Sequence, residues 1–383
     1  MGGIEARQRD HSWDAARAFL MVLGIPYHTA LAYRAGRPWI VNSGEGLPVF
    51  TYVAEVIHLF RMPAFFLIAG YFAALLLSRR PPGAWLRGRF RRLGIPLIAS
   101  LVTLVPLLNL ACELSNLPLA EALASWRHNT MTSGGYWVRH LWFLIVLLYC
   151  CSAAAALAWW RPSLRVATLP PRIDRWVAQH LFACLLTGTV FLGLWEAAAV
   201  ELFYKAGLAT NLPQEILRLD EFLTYAPYFL AGALMARAPL TLQEMGRFSP
   251  GLAAVAAISV LASLLFLDNL PPMAGRFIAT FAAVAVTQAI IAGAKRLGDR
   301  PIPMVQKVVS ASFVMYLVHM PIIIVLVWLG QHVQLPVASK ALTVMMLSLL
   351  LSYGAWLVAC RSTVLAFLFN GDLAPARLRP AAA

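Results

Sequence analysis

The chain has 383 residues, of which 60% are hydrophobic and 13% charged, with a mean hydropathy of +0.71. A soluble domain carries roughly 25% charged residues, so this composition excludes one and points to an all-α, polytopic integral membrane protein. The net charge of +14 does not signal a nucleic-acid partner, because the basic residues fall in loops between apolar spans rather than in one patch.

Taking ~20 apolar residues per crossing, ten transmembrane helices are expected near 13–33, 50–77, 93–112, 138–160, 177–200, 222–236, 251–268, 274–294, 309–329 and 338–360. The sixth is short and interrupted by Pro227 and Gly232. With the N-terminus inside, the inside segments hold 21 Lys and Arg against 8 outside, which puts both termini in the cytoplasm. The expected organisation is a cytoplasmic segment 1–12, one membrane domain 13–360 and a cytoplasmic tail 361–383, disordered after Asn370. Arg7, Arg9 and the Ala30-Leu-Ala32 stretch imitate a signal peptide, but Asp14 and Arg17 intrude on the apolar core, so the first span is expected to be retained. Cys112, Cys150, Cys151, Cys184 and Cys360 lie in or beside apolar spans without metal spacing, so no disulfide or metal site is expected.

The first span carries charge. Arg17 and His28 are eleven steps apart, within about 20° of one helix face and roughly 16 Å apart along the axis, and Asp14 lies near the same stripe. Such residues in a span face a protein interior or a water-filled cavity and suggest a functional site; the alternative is interfacial anchoring. The second span holds Glu55, His58 and Arg61 on one side. There the carboxylate could orient the imidazole or pair with Arg61. Next, the run Arg87-Gly-Arg89-Phe-Arg-Arg92 places guanidinium groups at the inner surface, suited to phosphate oxygens or to anionic lipid.

Towards the outer face come Trp39, Asn42 and Ser43 of the first outer loop, then His140 and Trp142 at the start of the fourth span. The ninth span holds Ser312, Tyr316 and His319. Glu201, Glu215, Asp220 and Glu221 in the third outer loop are expected to be solvated. No metal set, Gly-rich phosphate loop or nucleophile elbow is present in the sequence. The gradient suits an acyl donor with a phosphorylated handle bound from inside and a hydroxyl acceptor bound from outside. His28 would serve as general base for direct attack on the thioester.

Asp14-x-x-Arg17 with His28, Phe65-Phe-x-x-x-Gly70-Tyr71, the Arg89/Arg92 pair and Ser312…Tyr316…His319-x-Pro321 together resemble membrane acyltransferase family 3. More narrowly, the chain is similar to members of that family that act on glucans. The supporting phrases include Leu23-Gly-Ile-Pro-Tyr-His28, Ile57-His-Leu-Phe-Arg-Met62, Gly94-Ile-Pro96, His140-Leu-Trp-Phe-Leu144 and Tyr316-Leu-Val-His319.

The resemblance implies ten spans and a multi-pass place in the bacterial inner membrane. It implies succinyl transfer from succinyl-CoA to glucose hydroxyls of osmoregulated periplasmic glucans. No tightly bound cofactor is implied; acyl-CoA is a co-substrate. It assigns catalysis to His28 supported by Arg17, and it matches Arg89 and Arg92 to the donor-side basic pair. On the reading of the residues themselves, Asp14, Glu55 and His58 are grouped with the catalytic pair and Arg87 and Arg61 with donor binding, Arg61 as partner of the succinyl carboxylate. The acceptor path would be lined by His140, Trp142, His319, Tyr316 and Ser312. Partners would be the bilayer, acyl-CoA and a glucan, with self-association or contact with glucan-synthesis machinery left open and no nucleic acid. Alternatives are another acyl group or surface polysaccharide, or a transporter of the glucan or donor.

Overall fold

The computed structural model describes residues 11–372, apart from 38, 42, 208–211, 267–268 and 297–301. The segment 1–10, Asn42 and the tail beyond 372 therefore lie outside the described residues. Those described form α-helices and short 3₁₀ or π turns, with one isolated bridge, Arg34 to Leu47. In chain order the helices are α1 (His11–Val22), α2 (Gly24–Tyr33), α3 (Pro48–Arg79), α4 (Pro82–Arg89), α5 (Ile95–Val102), α6 (Leu104–Leu114) and α7 (Leu119–Thr132). There follow α8 (Gly134–Val138), α9 (Trp142–Trp160), α10 (Pro171–Gln179), α11 (Leu181–Trp195), α12 (Glu201–Lys205), α13 (Leu212–Leu217) and α14 (Leu219–Met235). The last are α15 (Pro239–Met245), α16 (Pro250–Leu265), α17 (Pro272–Arg296), α18 (Pro303–Gly330), α19 (Val337–Ala359) and α20 (Thr363–Asn370).

Eight helical runs are long and apolar enough to cross a bilayer, and α15 with α16, bent by 63°, makes a ninth if the pair is one span. The protein is thus an all-α, polytopic membrane protein. The difference from the expected ten falls at the sixth crossing. It lies in α14, which has 17 residues, contains Pro227 and opens on Asp220 and Glu221. The first span is broken between α1 and α2 at Leu23. Pro26 has no N–H to return to the carbonyl of Val22, one turn back, so the ladder is interrupted there.

The core is built where small residues let helices close up. A Cβ at Gly70 would lie 1.9 Å from the Phe229 carbonyl oxygen, and one at Gly232 would lie 1.8 Å from that of Leu67. Only glycine at both places lets α3 and α14 pack backbone to backbone. Around them Phe66 stacks on Tyr225 at 5.0 Å, Phe65 meets Phe143 edge-on at 4.7 Å, and Trp13 stacks on Tyr71 at 4.3 Å. All five cysteines are free thiols.

At the arginine-rich end, α10 is clasped to α15. The buried Asp174 accepts the backbone N–H groups of Leu240 and Thr241, each at 2.9 Å, and the Thr241 hydroxyl at 2.8 Å. Burial alone would raise this carboxyl's pKa, but the three donors outweigh it and hold it below the usual value.

Candidate functional site

Two cavities lie end to end between the helices. One, of 640 Å³, is lined by His28, His58, Arg61, His140, Trp142 and Tyr316. The other, of 420 Å³, is lined by Arg17, Arg89, Arg92 and Ser312. Met21, Phe65 and Phe143 line both, so a septum of three apolar side chains separates a histidine cavity from an arginine cavity. The charged stripe of the first span reaches both, because Arg17 on α1 opens on one and His28 on α2 on the other.

In the histidine cavity, His28 is buried, stacks against Trp39 at 5.7 Å, and lies 5.2 Å from His319 by ring centroids. Its Nδ1 is buried with no hydrogen-bond partner among the described residues. His319 Nδ1 lies 2.7 Å from the Tyr316 carbonyl; a carbonyl only accepts, so Nδ1 carries the hydrogen and Nε2 is the bare nitrogen. His140 is fixed the opposite way, its Nε2 donating to the Leu317 carbonyl at 3.2 Å and its Nδ1 left without a partner. The three imidazoles form a chain, with His140 and His319 5.5 Å apart. The Tyr316 hydroxyl donates to the His140 carbonyl at 2.6 Å, which ties α18 to the start of α9.

Arg61 lies over the Tyr27 ring at 4.6 Å and has no ion pair with any described residue. Gly24 makes room for it. A Cβ there would stand 2.9 Å from Arg61 Nη1 and 3.1 Å from His319 Nε2. His58 Nδ1 meets the Tyr27 hydroxyl at 3.3 Å.

Several expectations need correction. Glu55 pairs with Arg37 at 3.3 Å, a residue of the loop above, and neither orients His58 nor pairs with Arg61. Ser312 lines the arginine cavity instead of the acceptor path, because it lies one turn nearer the arginine end of α18 than Tyr316. Arg87 is exposed and is absent from the cavity wall. Asp14 is buried and pairs with Arg17 at 3.6 Å, supporting it without reaching either cavity.

The carboxylates expected in solvent are engaged. Glu215 accepts the Gly135 N–H at 3.0 Å, Asp220 accepts the Tyr204 hydroxyl at 2.8 Å, and Glu221 pairs with Arg218. Glu201 pairs with Arg276 at 3.4 Å.

The far wall of the histidine cavity was missed. It carries Glu196, Glu221, Tyr225, Tyr228 and Arg276. Glu196 opens a π turn, Glu196–Val200, and accepts the Tyr228 hydroxyl at 2.9 Å. A lone carboxylate within the apolar fifth span was the available signal, by the criterion that drew attention to Arg17.

In the arginine cavity, Arg89 lies over Trp85 at 5.3 Å. The π turn Phe90–Gly94 widens the helix between Arg89 and Arg92 while both still reach the cavity. The end of α20 covers its rim. Gly371 there has φ +63°, and a Cβ would lie 2.5 Å from the Arg91 carbonyl oxygen, so both the conformation and the close approach call for glycine.

A chamber of aromatics and histidines with Arg61, Glu196 and Glu221 in its wall, next to a cluster of guanidinium groups, suits a group-transfer membrane enzyme, and sequence comparison gives the class. The Acyl_transf_3 family model, an acyltransferase domain, matches residues 10–360. The chain belongs to this acyltransferase family. Among curated proteins it is similar to glucans biosynthesis protein C of Salmonella gallinarum (strain 287/91 / NCTC 13346) and of Salmonella heidelberg (strain SL476). Each is 30% identical over 266 residues, covering 67% of this chain and 66% of the relative. The matched region thus spans just under two thirds of those relatives' length. No solved structure matches the chain.

Proposed function

We propose that the protein moves a succinyl group from succinyl-CoA, bound at the cytoplasmic face of the bacterial inner membrane, to glucose hydroxyls of a periplasmic glucan. The observation that carries this reading is the abutment of the two cavities at Met21, Phe65 and Phe143. It puts a phosphate-suited cluster of Arg17, Arg89 and Arg92 on one side and His28 on the other. The phosphates of the donor rest on the guanidinium groups, and its thioester arm passes the septum.

His28 takes the proton of the acceptor hydroxyl as that oxygen attacks the thioester carbonyl. The tetrahedral adduct collapses with cleavage of the C–S bond, and the proton returns from His28 to the departing thiolate, leaving a sugar ester and free thiol. Arg61, a cation of the histidine cavity with no ion pair among the described residues, lies over Tyr27 beside His28 and His319 and receives the free carboxylate of the succinyl group. Trp39 and Trp142 offer ring surface for sugar rings, and Glu196 and Glu221 offer acceptors for sugar hydroxyls. The names of the glucan-biosynthesis relatives support the acceptor.

The test is mass spectrometry of periplasmic glucans from cells with the parent protein, with none and with His28→Ala. Succinylated glucans in the first and their loss in the other two are expected. Succinylation that persists with His28→Ala overturns the role of His28, and glucans unmodified in all three overturn the substrate assignment.

A further inference from the structure

A third cavity, of 850 Å³, shares only Tyr228 with the histidine cavity and Ala73 with the arginine cavity and is walled almost wholly by apolar atoms of α3, α9, α11 and α14. It runs along α14 from Phe222 to Met235, about 20 Å of helix, and on to Arg237 just beyond its end. Its rim is open on the side that faces lipid, where Phe191, Leu230 and Leu234 are exposed. Its floor is closed by buried Leu67, Ala74 and Phe229.

At the arginine-rich end stand Arg165 and Arg237. Arg165 is held in place, its Nε donating to the Leu77 carbonyl at 3.2 Å and one Nη to that of Arg80 at 2.9 Å. The Arg237 carbonyl accepts the Leu169 N–H at 2.8 Å, which fixes its backbone against the same loop. The Arg237 guanidinium has no hydrogen bond or ion pair with any described residue. It differs in this from Arg37, Arg218, Arg247 and Arg276, each of which has a carboxylate. Half-buried, it is desolvated enough for its pKa to be lowered. A desolvated cation without a counter-ion is costly, and an apolar groove open to lipid is filled by lipid.

We infer that this groove is a binding site for an anionic phospholipid, an acyl chain lying along α14 and the phosphate on Arg237 and Arg165. A zwitterionic lipid would fill the groove but bring its own cation to the arginines; an anionic headgroup supplies the missing charge, as basic pockets between transmembrane helices do at the cytoplasmic side. The site is independent of the reaction proposed above.

Native mass spectrometry of the purified full-length chain, incubated with phosphatidylglycerol or phosphatidylcholine in mixed micelles, tests it. One retained phosphatidylglycerol per chain is expected, preferred about tenfold over phosphatidylcholine, with Arg237→Gln erasing the preference. Ala154→Trp, which fills the groove and leaves both arginines, should release the lipid. Equal retention of the two lipids, or phosphatidylglycerol retention unchanged in both variants, overturns the proposal. So does a dimer that buries Leu230 and Leu234 and retains no lipid.

Discussion

His28 and His319 lie 5.2 Å apart by ring centroids, their planes tilted by 41°, and they come from the first and one of the last long helices of the chain. His319 is locked by its bond to the Tyr316 carbonyl, so its bare Nε2 has a fixed direction. His28, with no partner on Nδ1 among the described residues, depends on such neighbours for its position. His28→Ala should lower kcat by about 10²–10⁴. His319→Ala should cost less, and His319→Asn, whose amide can still donate to the Tyr316 carbonyl, should recover part of the loss. Steady-state kinetics with purified protein and a glucan acceptor checks the order; equal losses for the two His319 variants would remove its positioning role.

Gly24→Ala separates activity from stability. Alanine favours a helix over glycine by about 1 kcal/mol, yet its Cβ would press on Arg61 Nη1 and His319 Nε2. The variant should fold as well as the parent and lose about tenfold in rate, since small misplacements of catalytic groups are expensive. Thermal unfolding and transfer assays on the same preparation read both.

The septum should act as a filter on the acyl group. Met21→Ala and Phe143→Ala widen the passage between the cavities, so donors longer than succinyl-CoA should gain about tenfold relative to it. Competition between acyl-CoAs of different length, resolved by mass spectrometry of the product, checks this. An unchanged ranking would mean that Met21 and Phe143 do not bound the acyl path.

Asp174→Ala should weaken the clasp between α10 and α15 by about 1–3 kcal/mol, since it strands the buried Thr241 N–H and the part-buried Leu240 N–H. The carboxyl's pKa in the folded protein lies below its unfolded value of about 3.9. Its charge-dependent contribution is therefore complete above that value and is lost as pH falls through the folded pKa. The difference in unfolding midpoint between parent and variant should be full at neutral pH and shrink in acid. A pH-independent difference would place the effect in packing alone.

The sequence reading succeeded where residue spacing carries the information. Arg17 and His28 share a stripe because a helix repeats, and both do reach cavities. Spacing gives a face but not a depth, so it does not tell that Ser312, on the stripe of Tyr316, opens on the arginine cavity. Glu55 went wrong for another reason: its partner, Arg37, comes from an irregular loop that no periodicity places. The wall of Glu196, Glu221 and Arg276 depends on how α11, α14 and α17 meet; Glu221 was read as a solvated loop charge, and Glu196 and Arg276 were not singled out. The sixth crossing is short because its first turn is spent on Asp220 and Glu221, of which Glu221 lines the cavity.

The pairing of Gly70 with Phe229 and of Gly232 with Leu67 has a consequence for traffic. Two helices welded main chain to main chain have no slack with which to breathe, so the partition they make stays shut through the catalytic cycle. Elsewhere in the wall of the histidine cavity, the loop that carries Trp39 and Ile40 is tied down by an isolated bridge from Arg34 to Leu47, so for the polymeric acceptor proposed above that loop is the doorway.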